Sequence, residues 1–351
     1  MKSFFKLEKE GVIRCLACPH HCLLAEGQRG ICGVRINQNG ELRLLVWGKA
    51  VGMHPDPIEK KPLFHFLPGT KALSFGTLGC NFACRFCQNW FQSQAPKKIR
   101  NLGKTDQVLD LINQVSQDYQ PEAIVALAQE LGCPTIAYTY NEPVIFLEYA
   151  LATMKLAKKK GLRNIWVSNG FISREAFEAI KDYLDGINID LKSFHPDFYR
   201  RLCSARLEPV LENIARFWQN KIWIEVTTLI IPGENDSAEE LEKIARFLFQ
   251  ISPDLPWHVT AFHPDYQMLD KPVTPREKLI EAWRIGKRLG LNYVYLGNII
   301  DQEHSSTYCP NCRQLLISRD GYQLIEIVGL NQGQCRFCGQ KIAGVWSGEK
   351  Q

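Results

Sequence analysis

Between about residue 71 and residue 300 the chain alternates short apolar runs with stretches of helical periodicity. The strand-like runs fall at 72–77, 135–140, 164–168, 186–191, 223–231, 257–262 and 292–297. Strands spaced by helix-length segments argue for repeated strand–helix–strand units and a parallel sheet. The helices carry their own punctuation. Ser237 with Glu240, and Thr274 with Glu277, predict capping boxes, and Pro275 suits a first helical position. Gly132, Gly161 and Gly290 stand where helices should stop, because glycine accepts the left-handed backbone that ends them.

Both ends break this pattern. Residues 1–70 contain Cys15, Cys18, Cys22 and Cys32 in the spacing C-x2-C-x3-C-x9-C, with Pro19 and several glycines supplying tight loops. Four thiols so close in sequence can surround one centre. A structural zinc site and an auxiliary iron–sulfur cluster both fit the spacing. The passage His54–Phe66 is rich in proline and reads as an extended connection whose Lys60, Lys61 and His65 could face the active site but are expected to be solvated. Residues 305–351 carry Cys309, Cys312, Cys335 and Cys338 as two C-x2-C turns, with strand-like runs at Leu315–Ile317 and Tyr322–Ile327 between them. Two such turns close a tetrahedron of thiolates, so a zinc-ribbon or rubredoxin-like segment holding zinc or iron is expected. The predicted organisation is an N-terminal Cys-rich segment (1–70), a barrel domain (71–304) and a C-terminal metal ribbon (305–351).

Composition refines this picture. The chain has 351 residues, 45% hydrophobic and 23% charged, which allows a sizeable core. Its formal charge of +5 is spread along the sequence, without the dense basic run of a nucleic-acid face. Lys158–Lys160 reads as a helix C-terminus complementing the helix dipole. Of thirteen cysteines, only Cys133 and Cys203 stand outside the three groups. Neither a signal-peptide core nor a membrane-length apolar run is present, so a cytoplasmic protein is expected. In that reducing compartment, grouped cysteines are metal ligands rather than disulfides.

The third group decides the expected chemistry. Cys80, Cys84 and Cys87 are spaced C-x3-C-x2-C, just after the run 72–77, where a parallel barrel places its active-site loops. A [4Fe–4S] cluster is usually held by four thiolates, and a loop that supplies three leaves one iron open. S-adenosylmethionine (SAM) bound there would be cleaved by one electron to methionine and a 5′-deoxyadenosyl radical. Phe86 is placed to lie beside the adenine. Polar residues follow the later strands in turn. Glu142 can hold the SAM ammonium, and Ser168 and Asn169 can meet its ribose or carboxylate. Lys192 can pair with the carboxylate, oriented by Asp190. A zinc site completed by Cys133 or Cys203, or three structural thiols, is the competing reading of the triad.

Taken together these motifs resemble the radical SAM proteins related to pyruvate formate-lyase activating enzymes, and more closely the AmmeMemoRadiSam system radical SAM enzymes. The resemblance rests on Cys15–Arg35, Gly79–Trp90, Tyr138–Pro143, Ser168-Asn169-Gly170, Asp190-Leu191-Lys192, Ile231–Asp236, Val294–Asn298 and the terminal cysteine turns. It implies an incomplete (βα)6-type barrel, a SAM-cleaving [4Fe–4S] cluster, and association with Memo-type and AMMECR-type proteins. By position it implies catalytic roles for Cys80, Cys84, Cys87 and Lys192, and SAM contacts from Asn141, Glu142, Ser168, Asp190, Lys192 and His263. Tyr140 and Asn141 replace the glycines of the family's Gly-Gly-Glu motif, and Val167 stands where activating enzymes often carry a cation-binding Asp.

The expected function is therefore reductive SAM cleavage followed by hydrogen abstraction from a protein, in the manner of a glycyl radical activase, with a flavodoxin or ferredoxin as electron donor. A small-molecule substrate is the alternative; a lidded cavity formed by the N-terminal segment would favour it. A non-catalytic, metal-stapled module binding a partner or RNA is the third reading.

Overall fold

The computed structural model describes residues 4–99 and 104–346. The chain divides into two compact units. The first gathers Met1–Asp56, Ala72–Asp185 and Cys203–Ala205; the second gathers Pro57–Lys71, Gly186–Leu202 and Arg206–Gln351.

In the first unit the strands Lys71–Gly76, Thr135–Tyr138 and Arg163–Ser168 run parallel, pairing Ala72 with Thr135 and Thr135 with Arg163. Every residue of Thr135–Tyr138 is buried, as suits a strand covered on both faces. The helices Pro121–Glu130 and Leu147–Lys159 each end next to a glycine of positive φ, at Gly132 and Gly161. Lys158, in the last turn of the second helix, pairs with Asp185 at 2.6 Å. Ahead of this sheet, the Cys-rich segment folds as a small antiparallel sheet of Phe5–Leu7, Ile13–Cys15 and Leu23–Leu24, followed by the hairpin Arg35–Gln38/Glu41–Leu44.

In the second unit Gly186–Asp190, Trp223–Ile230, Trp257–Ala261 and Val294–Gly297 form a parallel run in that order. The Ser237 hydroxyl accepts the Glu240 amide and caps the helix Ala238–Ile251, the first half of the expected box, while the Glu240 carboxylate accepts the Ser193 hydroxyl and the Phe194 amide. Thr274 does not cap its helix. Its hydroxyl donates to the Ile230 carbonyl and accepts the Phe262 amide, so it ties two chain segments together and Pro275 takes the cap position.

The C-terminal segment pairs Leu315–Asp320 with Gln323–Ile327 and packs Cys309, Leu316, Ile317, Cys335 and Ile342 against Phe64, Tyr293 and Tyr295. Lys61 and His65, expected to be solvated, are buried here. The His65 Nδ1 donates to the Ala343 carbonyl at 2.7 Å, and its Nε2 lies 2.6 Å from the Tyr295 hydroxyl. The buried Arg319 guanidinium donates to Thr307 Oγ1 and to the Phe64 carbonyl, and its centre sits 4.5 Å above the Phe64 ring. Glu225 accepts the Phe64 and His65 amides and the Trp223 indole, and lies 2.6 Å from His258 Nε2. Burial opposes its ionisation. The hydrogen bonds from His258 and the Trp223 indole help outweigh that and hold its carboxyl below the ordinary range. His65, Arg319 and Glu225 draw hydrogen-bond partners from far along the sequence, and so fix the ribbon in one register on its unit.

Candidate active site

The triad loop leaves the Lys71–Gly76 strand at Thr77 and is held from several sides. Asn141 Oδ1 accepts the Thr77 amide at 3.1 Å; its Nδ2 donates to Thr77 Oγ1 at 3.1 Å and to the Gly79 carbonyl at 2.8 Å. Gln92 donates to the Thr77 carbonyl from the following helix. Gly76 has to be glycine, because a Cβ there would stand 2.4 Å from the Thr139 carbonyl. Cys80 and Cys84 are buried, Cys87 is half-buried, and Ser93 Oγ lies 3.1 Å from Cys87 Sγ. Burial pushes the Cys80 thiol up to about 12. A bare thiolate is therefore disfavoured here, whereas a bound metal deprotonates such a thiol outright.

Two further strand ends meet this loop. Asn81 Nδ2 donates to the Phe171 carbonyl, and Asn81 Oδ1 accepts from Asn169 Nδ2 at 2.8 Å. The buried Glu142 carboxylate accepts the Ser168 hydroxyl at 2.8 Å and the Asn169 amide at 2.7 Å. The triad, Asn141, Glu142, Ser168 and the buried Phe86 are thus parts of the first unit. Asn141 is a loop brace with its amide committed to Thr77 and Gly79. Its neighbour Tyr140 adopts φ +69 and donates its hydroxyl to Asp56 at 3.0 Å.

Asp190, Lys192 and His263 lie in the second unit. Lys192 Nζ is 2.9 Å from Asp190 Oδ2, the orienting pair read from the sequence. The Lys192 backbone is fixed by the Tyr199 hydroxyl on its amide and by Asn235 Nδ2 on its carbonyl. His263 is exposed, with Nδ1 3.4 Å from the Pro264 carbonyl.

Sequence reasoning missed Asn81, Thr77, Gln92 and Ser93 as supports of the loop. Asn81 alone left a signal, a side-chain amide placed directly after a ligand cysteine. The others act across gaps that no spacing rule predicts.

Residues 75–248 match the family model described as the Radical SAM superfamily. The chain belongs to the radical SAM superfamily. Radical SAM proteins carry a [4Fe–4S] cluster and cleave SAM, and their fold class is α/β with the mostly parallel sheet expected from the strand pattern and the incomplete barrel implied by the resemblance. This radical SAM chain is 40% identical over 342 residues to an uncharacterized protein of Methanocaldococcus jannaschii, covering 97% of both chains. It is 27% identical over 222 residues to a putative glycyl-radical enzyme activating enzyme of the same organism, covering 62% of this chain and 76% of that one. Among solved structures, a radical SAM methyltransferase from Sphaerobacter thermophilus matches with a TM-score of 0.48 and 14% identity, covering 67% of this chain and 68% of the other.

The donor set fits the cluster. Among the described residues, Cys309, Cys312, Cys335 and Cys338 are the group of metal-type ligand atoms lying within 4.8 Å of one another. Cys80, Cys84 and Cys87 do not converge in that way, and neither Cys133 nor Cys203 completes them as a single-ion site. Three thiols on one loop, spread wider than one ion would draw them, suit a cubane with an open iron. The C-terminal four do suit one ion. Cys309 and Cys338 sulfurs stand 3.6 Å apart, as do those of Cys312 and Cys335. Four thiolates around one zinc would be about 3.8 Å apart, from a Zn–S bond of about 2.3 Å.

Among the described residues no helix is long and apolar enough to cross a membrane.

Proposed function

We propose that this chain is a radical SAM hydrogen-abstracting enzyme whose substrate is a protein, in the manner of a glycyl radical activase. The observation that carries the radical chemistry is the three-thiol loop braced by Asn141 and latched through Asn81 to the Ser168–Gly170 turn. The bound cluster and SAM supply one-electron cleavage to methionine and a 5′-deoxyadenosyl radical. In this reading Cys80, Cys84 and Cys87 hold the cluster, and the absence of a fourth thiolate is what admits SAM. Glu142 keeps a buried carboxylate for the SAM ammonium, and Ser168, hydrogen-bonded to it, fixes its direction. By the family resemblance Phe86 flanks the adenine, the Lys192–Asp190 pair takes the SAM carboxylate, and His263 adds a SAM contact. A flavodoxin or ferredoxin supplies the electron, in the cytoplasm. Membership of the AmmeMemoRadiSam systems, with Memo-type and AMMECR-type partners, belongs to the same reading.

The protein substrate is supported by similarity to activating enzymes. A small-molecule substrate is favoured by one observation. A cleft of about 490 Å³ lies between the N-terminal segment at Gly27–Gly33 and Ala83 of the triad loop, also lined by Pro96, Lys97, Ile99 and Ser204. That volume suits a metabolite. Fractionated cell extract separates the two. If the protein fraction raises the 5′-deoxyadenosine yield, a macromolecular substrate is supported. If only the small-molecule fraction does, the activase reading is overturned.

A further inference from the structure

We propose that Cys15, Cys18, Cys22 and Cys32 hold a second [4Fe–4S] cluster, placed as an electron-transfer neighbour of the Cys80–Cys84–Cys87 loop. All four cysteines line one void in the first unit, together with Arg35, Asn81 and Ile145. Among the described residues they do not form a group with ligand atoms within 4.8 Å of one another, unlike the C-terminal four. One zinc would draw four sulfurs to about 3.8 Å of each other. A cubane puts each thiolate on a different iron, and so holds four thiolates farther apart around a filled centre.

A second observation points to an anionic occupant. Arg35 is buried and lines the same void. Its terminal nitrogens are used by Glu148 and the Ile145 carbonyl, while its Nε has no hydrogen-bond partner. A buried guanidinium that keeps one donor unspent, beside four thiols, suits a thiolate-bound centre of net negative charge.

The void adjoins the triad loop. Asn81, which lines it, directly follows Cys80, and the His20 ring nitrogen lies 3.0 Å from the Asn81 carbonyl. The Cys32 carbonyl packs so closely on Gly79 that a Cβ there would stand 2.6 Å from it. Two clusters so placed exchange single electrons without breaking a bond or moving a proton. One electron passes from a reduced carrier of the ferredoxin or flavodoxin class to the second cluster and on to the first. This relay role rests on the radical SAM reading; the metal assignment does not.

The full chain, reconstituted anaerobically with iron and sulfide, is expected to carry about eight acid-labile sulfides, four per cubane. The C-terminal site adds none, whether it holds zinc or iron. The double variant Cys18→Ala/Cys22→Ala is expected to keep about four, and so is Cys84→Ala/Cys87→Ala, whose remaining cluster should give its own electron paramagnetic resonance signal on reduction. About four sulfides in the wild type, with an added zinc, would overturn the assignment even if neither variant folds. The reduced wild type should show a spectrum broadened by spin coupling relative to the sum of the two variants. A simple sum would overturn the neighbour relation. A chain with eight sulfides that makes no 5′-deoxyadenosine would sink the radical reading and leave this one standing.

Discussion

Replacing Asn141 by alanine tests whether the loop brace, rather than a SAM contact, is what this residue provides. Three hydrogen bonds are lost at once, to the Thr77 amide, Thr77 Oγ1 and the Gly79 carbonyl. Thr77 and Gly79 are buried, so water cannot take over. The Thr77 hydroxyl keeps a second partner in the Leu78 carbonyl, which leaves two orphaned backbone groups. Each buried orphan costs about 1–3 kcal/mol, so Asn141→Ala should destabilise the first unit by about 3 kcal/mol. The loop that presents Cys80 should then hold its cluster poorly. The assay is sulfide content after reconstitution, with urea unfolding followed in parallel. The expected result is a loss of about half the labile sulfide or more, with the C-terminal metal retained. Asn141→Asp, which can still accept from Thr77 but cannot donate to Gly79, should fall between. If Asn141→Ala keeps its full sulfide and its stability, and loses only SAM affinity, the brace argument is wrong and the family-based SAM contact is right.

Other perturbations follow from the same packing. Gly79 has φ +93 and abuts Cys32 and Val34, so Gly79→Ala should cost about 3 kcal/mol and expose Cys32–Arg35 amides to hydrogen exchange; unchanged protection would contradict the contact. Burial pushes the His65 imidazole down to about 4, so it is neutral in the fold, while the unfolded chain binds a proton below about pH 6.5. Stability should therefore fall as the pH drops from about 6.5 to about 4, by up to about 3 kcal/mol, and His65→Gln should lack that part of the slope in pH-dependent unfolding. Removing one ligand of the C-terminal site, in Cys309→Ser, should lower the metal content by about one ion per chain and speed proteolysis of the ribbon; equal metal content would refute a closed four-thiolate site.

Much of the fold was legible because strand burial writes itself into local pattern. Ile136, Ile165, Ile187 and Ile224 each lie buried in a run read as a strand, and the observed strands start or end within two residues of those runs. The triad and the terminal cysteine turns were legible because metal ligands need fixed spacing. What sequence could not give was partnership at long range. His65 reads as a solvated residue in a proline-rich passage, yet its ring is closed in by Tyr295 and Ala343, 230 and 278 residues away. Thr274 reads as a cap, yet its hydroxyl serves Ile230 and Phe262. Asn141 reads as a ligand contact by analogy, yet in the fold its amide holds Thr77 and Gly79. A single polar side chain has several satisfactory partners in principle, and tertiary packing chooses among them.

The central claim is that three thiols on one braced loop make this chain a SAM-cleaving enzyme. Its most direct test is 5′-deoxyadenosine formation by the anaerobically reconstituted protein with dithionite and SAM, beside a Cys84→Ala control. Product from the wild type, together with methionine, and none above background from the variant is the predicted result. Equal background from both, in a wild type that carries its full iron and sulfide, would contradict the account.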